Sequence, residues 1–240
     1  MNEQTITILQ LYPRDMNIYG DYGNALVLKR RLEWRGYNVK LMSYNPGDAF
    51  PTDVDIIVGG GGQDSGQLKI QSDLLAITPQ LKKLADSGTP MLMICGLYQL
   101  FGAFFETSSG TVIEGIGIFD TRTYGRSERL IGNTVVESVD FGTIYGYENH
   151  SGQTFLGKKA QPLGTIQLGA GNNTEDAHEG ARYKNVIGSY LHGSLLPKNP
   201  AIADFLIKTA VTNKYGTFKD IAIDDSFAFS ARKAAAKRPR

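Results

Sequence analysis

The sequence predicts an α/β fold in which a mainly parallel central sheet is flanked by helices and carries β-rich additions. Three observations support this. Short apolar runs alternate with helix-periodic segments through the first half of the chain, the pattern of strands joined by crossover helices. Two runs, Pro90 to Ile94 and Asn185 to Leu191, have the texture of buried strands. After Phe105 the chain turns to glycine-punctuated β segments, expected to extend or flank the sheet rather than form a second domain.

Taken in order, Thr5 to Leu11 is the first expected strand. Asn24 to Arg35 follows as a helix with Leu26, Leu28, Leu32 and Trp34 on its apolar side, ended by Gly36. Tyr37 to Ser43 is a second strand, and Asp53 to Val58 a third that runs into four glycines, Gly59 to Gly62. Leu68 to Asp86 is mostly helical, but Pro79 has no N–H to donate and forces a break or kink, and Gly88 caps the end. Pro90 to Ile94 is the fourth strand. The later β segments are Ile116 to Arg122, Leu130 to Ser138, Thr143 to His150 and Gly164 to Leu168, before the buried strand Asn185 to Leu191 and a closing helix, Ala201 to Val211. The expected organisation is one domain over residues 1–229 and a basic, disordered tail over 230–240.

Composition narrows the function. With 25 basic against 24 acidic residues, no net field favours nucleic acid or a membrane surface. No run approaches the ~20 apolar residues that cross a bilayer, and Met1 to Thr7 lacks the basic-then-apolar pattern of a secretory signal, so a cytoplasmic location is expected. The single cysteine excludes an internal disulfide and every cysteine-rich zinc pattern, and no histidine pair has metal-ligand spacing. No G-x-x-x-x-G-K-[ST] loop or dinucleotide fingerprint is present. The expectation is therefore no metal and no cofactor in this chain.

Cys95 sits where the strand Met91-Leu-Met-Ile stops and a helix is expected to begin. A strand-to-helix turn pushes the sulfur outward, and the unpaired N–H groups at a helix start favour negative charge nearby. Gly96 allows close backbone approach, and its N–H, with one from the Gly60/Gly61 turn, is the expected oxyanion support. His192 closes Val186-Ile-Gly-Ser-Tyr-Leu-His192-Gly193 at the end of another buried strand and is the expected base. His150 ends a β segment, and His178 lies in the polar loop Asn172 to Gly180, where it is expected to be solvated.

Three motifs, Ile94-Cys95-Gly96-x-Tyr98-Gln99, Gly146-Tyr-Glu-Asn-His150 and Gly188-Ser-Tyr-Leu-His192-Gly193, preceded by Gly60-Gly61-Gly62-x-Asp64, resemble those of class I (triad-type) glutamine amidotransferases of the cobyric acid synthase-like branch. Asp21-x-Gly23-Asn24, Phe141-Gly-Thr-Ile, Gly171-Asn-Asn173 and Leu195-Leu-Pro-Lys-Asn199 resemble the amidase subunits of two-subunit lipid II isoglutaminyl synthases in particular. The resemblance implies a flavodoxin-like fold and a Cys95 thioester that releases ammonia from glutamine. It further implies a heterodimer with a MurT-like, Mur-ligase-family synthetase. That partner would use ATP and Mg to amidate the D-glutamate α-carboxyl of the lipid II stem peptide at the inner face of the membrane. Arg129 matches the substrate-binding arginine of those relatives, and a guanidinium suits the α-carboxylate of glutamine. Gln99 either positions substrate or caps the helix. The rival readings are an amidase serving another synthetase, such as a cobyrinate-like one, a stand-alone cysteine hydrolase, and a catalytically silent scaffold subunit.

Two positions depart from the resemblance. Leu97 stands where many relatives have glycine, and Ser194 stands where the glutamate that orients the histidine would be. The second departure leads to the expectation that the partner subunit supplies the missing carboxylate.

Overall fold

The computed structural model describes residues 4–237. Strand β1 (Thr5–Leu11) leads into helix α1 (Tyr22–Trp34), β2 (Asn38–Tyr44) and β3 (Ile56–Gly59). Helices α2 (Asp64–Ala76) and α3 (Thr78–Asp86) are separate because Pro79, in the first turn of α3, has no N–H to continue the α2 ladder. Then come β4 (Met91–Ile94) and the short α4 (Gly96–Phe101).

A first six-stranded sheet also takes in β11 (Ala181–Tyr183) and β12 (Val186–Ser189), in the order β11-β12-β4-β3-β1-β2. All its neighbours are parallel except β11, which pairs antiparallel with β12. Strands β3, β4 and β12 are buried at every residue, because helices cover both faces and leave no side to alternate toward water. Helix α5 (Pro200–Tyr215) closes the layer with Ile202, Leu206, Ile207 and Val211 in the core.

The β-rich middle builds a second sheet rather than widening the first. It contains β5 (Phe104–Glu106), β6 (Val112–Glu114), β7 (Thr121–Ser138), β8 (Gly142–Leu156), β9 (Gly164–Leu168) and β10 (His178–Glu179). Residues 116–120, expected in a strand, precede β7 as an irregular segment. The long β7–β8 hairpin slips register between Gly125 and Leu130, which throws Arg126 to Arg129 out of the ladder.

The expected tail is largely helix. Helix α6 (Ser226–Ala235) docks through Arg232, which donates to the carbonyls of Lys198 at 2.5 Å and Thr143 at 2.9 Å. Asp225, just before α6, pairs with the buried Arg31 of α1, which also grips Asp204 of α5. Residues 230–237 therefore depart from the expectation of disorder, because the basic side chain that looked solvated finds carbonyls to bind. Residues 238–240 lie outside the described residues. Among the described residues, no helix is long and apolar enough to cross a membrane.

Candidate active site

The site lies at the carboxyl ends of three adjacent parallel strands, β12, β4 and β3, the crevice where open α/β sheets hold ligands. Cys95 follows β4 and precedes α4 with φ 50° and ψ −103°. A non-glycine residue in such a conformation stores roughly 1–3 kcal/mol of strain. Three bonds hold it: Cys95 N–H to Ser189 O at 2.8 Å, Gln99 N–H to Cys95 O at 2.9 Å, and Leu97 N–H to Gly60 O at 3.4 Å. Leu97 is accommodated because Gly59 opposite it has no side chain; a Cβ there would stand 2.3 Å from Leu97 Cδ1.

His192 arrives from β12, three residues past its end, with its N–H donating to Tyr147 O of β8 at 2.7 Å. Imidazole and sulfur meet across Gly61. A Cβ on Gly61 would lie 2.7 Å from His192 Cε1 and 3.2 Å from Cys95 Cβ. The expected convergence of nucleophile and base is thus present in the fold.

Two other side chains touch His192. Asp21, in the loop between β1 and α1, places Oδ2 3.8 Å from His192 Nδ1, and both side chains are almost wholly buried. Tyr19, in the same loop, sets its ring edge-on to the imidazole with centroids 4.5 Å apart. Burial works to lower the imidazole pKa, but the charge of Cys95 and the hydrogen bonding and charge of Asp21 outweigh it and raise it to about 10. The favoured state of His192 near neutral pH is the imidazolium.

A cavity of about 400 Å³ opens beside the sulfur, lined by Cys95, Tyr19, Gly62, Gln63, Gln99, Arg129, Asn149, His150 and Gly152 among others. Arg129 sits on the β7 bulge at its rim, exposed, with Nε donating to Asn149 Oδ1 at 2.7 Å and a terminal nitrogen to Tyr19 OH at 3.2 Å. The side chain is held but keeps donor capacity for an anion in the cavity.

Below the cavity runs a buried polar chain. Gln99 Oε1 accepts from Gln67 Nε2 at 2.6 Å and its Nε2 donates to Tyr190 OH at 3.0 Å, so Gln99 ties α4 to the base strand as well as lining the cavity. His150 stacks on Tyr190 with centroids 3.6 Å apart and bonds Gly152 O through Nδ1 at 2.7 Å; burial pushes its pKa down to about 3, so it stays neutral. Glu179 Oε1 accepts from Ser189 Oγ and Tyr190 N–H, and burial pushes this carboxyl up to about 7. His178, expected to be solvated, is half-exposed and faces Asp176.

The turn expected to support the oxyanion is closely packed. Gly61 N–H already donates to Asp21 Oδ2 at 2.7 Å, and Gly60, whose carbonyl serves Leu97, is packed against Met16 O and Asp21. Neither residue is among those lining the cavity. Gly62 lines the cavity with Cys95, and its nitrogen would stand 3.0 Å from a Cβ on Gly96, the residue after the cysteine. Sequence reasoning also missed Asp21 and Tyr19 as neighbours of the base. Their signal was positional: they follow the carboxyl end of β1, at the same sheet rim as Cys95 and His192.

Residues 7–200 match the model of the CobB/CobQ-like glutamine amidotransferase domain. The chain belongs to that glutamine amidotransferase family. Its relatives include the GatD subunit of lipid II isoglutaminyl synthase (glutamine-hydrolyzing) from Staphylococcus aureus strain N315. That protein is 38% identical over 97% of this chain and 96% of the relative. The GatD subunit from Streptococcus pneumoniae R6 is 41% identical over 88% of this chain and 82% of the relative. A probable cobyric acid synthase from Methanothermobacter thermautotrophicus is 29% identical, with the match spanning 75% of this chain and 38% of that protein. Among solved structures, a glutamine amidotransferase from Thermotoga maritima superposes with a TM-score of 0.56 at 15% identity, covering 96% of this chain and 93% of that one. PurLQS from the same organism superposes at 0.54 and 15% identity, over 88% of this chain and 99% of that one. These two likenesses establish the amidotransferase fold, as the sequence led us to expect.

Proposed function

We propose that this amidotransferase is the glutaminase subunit of a lipid II isoglutaminyl synthase, with Cys95 as nucleophile and His192 as the proton carrier. The Cys95 thiolate attacks the side-chain amide carbon of glutamine, and the Gly96 and Gly62 amides hold the resulting oxyanion. His192, protonated at that stage, gives its proton to the amide nitrogen as the C–N bond breaks, releasing ammonia and leaving a thioester. Water then attacks the thioester, His192 takes its proton, and glutamate departs as the thiolate re-forms. Arg129 grips the α-carboxylate so that the amide end reaches the sulfur.

The observation that carries this reading is the meeting of Cys95 and His192 across Gly61, at the wall of a cavity with a guanidinium on its rim. The two GatD relatives, matched over most of their length, support the choice of complex. In that complex the ammonia passes to a MurT-like, Mur-ligase-family synthetase. The synthetase binds ATP and Mg and amidates the D-glutamate α-carboxyl of lipid II at the inner face of the membrane.

The test uses the chain co-expressed with its synthetase. Glutamine should yield equimolar glutamate and ammonium, and 6-diazo-5-oxo-norleucine should label Cys95. Cys95→Ala and His192→Ala should each lower turnover by on the order of 10⁴-fold or more. Lipid II supplied with ATP should gain an amide at the α-carboxyl. A chain that neither releases ammonium nor takes the label sinks the glutaminase reading; ammonium release without lipid II amidation sinks only the acceptor.

A further inference from the structure

We propose that Gln67 is a positioning residue for substrate binding: from α2 it sets which end of the Gln99 carboxamide meets the catalytic cavity. This inference rests on the glutaminase reading of the site. Helix α2 buries Gln67, Ile70 and Leu74, the i, i+3, i+7 stripe of a core-facing helix, so one of its three core positions carries an amide. Burying an amide is costly unless its polar atoms are paired. The Gln67 nitrogen donates to Gln99 Oε1 at 2.6 Å, whereas its oxygen has no hydrogen-bond partner among the described residues. Leucine would fill a similar space, so the bond to Gln99 is what the amide adds.

That bond gives a direction to a chain of contacts that otherwise has none. Gln99 Nε2 donates to Tyr190 OH at 3.0 Å, and beyond it Tyr190, Thr154 and Thr123 are joined by two hydroxyl contacts of 2.7 Å that can run either way. With its oxygen held by Gln67, Gln99 gives one N–H to Tyr190 and keeps the other. Gly152 lines the cavity beside Gln99, and a Cβ on Gly152 would stand 2.4 Å from Gln99 Nε2. The nitrogen is therefore the end of the carboxamide next to that wall, and it suits an oxygen of bound glutamine. Turned about, the same side chain would set its own oxygen against the substrate's. Gln67 is not among the residues lining the cavity; its nitrogen lies beside the elbow, 2.7 Å from where a Cβ on Gly96 would stand. It acts on the substrate through Gln99.

The experiment uses the full chain co-expressed with its synthetase and compares wild type, Gln67→Leu, Gln67→Glu and Gln99→Leu, with each Gln67 change also made in the Gln99→Leu background. It reads kcat and KM for glutamine beside a thermal melt. KM should rise about tenfold in Gln67→Leu, where the Gln99 amide loses its guide, with kcat within about threefold of wild type. The rise should reach about 10–100-fold in Gln67→Glu, because a carboxylate can only accept and draws the Gln99 N–H away from the cavity. In the Gln99→Leu background either Gln67 change should alter KM by no more than about twofold, since the residue it guides is gone. Should Gln67→Leu fail to fold, Gln67→Glu carries the same comparison. Single variants whose KM stays within about twofold of wild type overturn the inference. So do effects that multiply unchanged with Gln99→Leu, which would make Gln67 a core residue acting on its own, and so does a fall in kcat at constant KM. A wild-type complex that releases no ammonium removes the glutaminase reading and this inference with it, whereas normal hydrolysis with unshifted KM in the variants removes only the role of Gln67.

Discussion

His192 lies against Gly61 so closely that a methyl group there would stand 2.7 Å from its Cε1. The bare α-carbon is what lets the imidazole approach Cys95. Gly61→Ala should leave the fold intact, because the ring can swing aside, yet lower kcat by about 100-fold through misplacement of about 1 Å. Steady-state kinetics beside a thermal melt checks this: a variant with normal turnover would show that the approach is not limiting.

Arg129 should act on binding rather than on bond breaking. Arg129→Lys removes the planar fork while keeping the charge, and KM for glutamine should rise about 10–100-fold, with kcat changed by less than about threefold. A fall in kcat at constant KM would instead place the guanidinium at the reacting amide.

Glu179 should make stability depend on pH. Burial raises its carboxyl to about 7 from an ordinary 4.5, so across that window the folded protein holds a proton that the unfolded chain has released. This contribution is full below about 4.5, shrinks as pH rises, and is gone above about 7. Glu179→Gln keeps an acceptor for Ser189 and Tyr190 and removes the titration. Its stability relative to wild type should improve by on the order of 1–3 kcal/mol between acid and neutral pH. Urea melts at the two extremes measure the difference, and parallel curves would refute it.

Arg31→Met tests the anchor of the last helix. It takes the buried guanidinium from Asp225 and leaves Asp204 with Arg35, and breaking a pair whose cation is buried costs about 3–5 kcal/mol. Calorimetry should show a melting temperature lower by roughly 6–15 °C, with protease sensitivity appearing first near Ser226.

The parallel sheet was legible because strands covered on both faces must be apolar throughout, and β3, β4 and β12 are. The boundary at Pro79 followed from a missing N–H. Cys95 and His192 were legible because each ends such a strand beside a glycine. The second sheet was only half legible: β7 carries many polar residues and a bulge, so its alternation breaks where Arg129 leaves the ladder. Asp21 was hidden for a different reason. Its contact with the base depends on the path of an irregular loop, and although Asp21-x-Gly23-Asn24 stood out as a motif, nothing in it pointed to His192. The helix after Asp225 was misjudged because an alanine-rich basic stretch looks solvated until Arg232 finds the carbonyls of Lys198 and Thr143.

The side chains that would cut and the one that would grip stand on different sheets: Cys95 and His192 on the parallel layer, Arg129 on a bulge of the β7–β8 hairpin. A lineage can therefore remodel the hairpin, lengthening its kink or changing its cation, and so choose another amide donor while inheriting the cleavage apparatus unaltered.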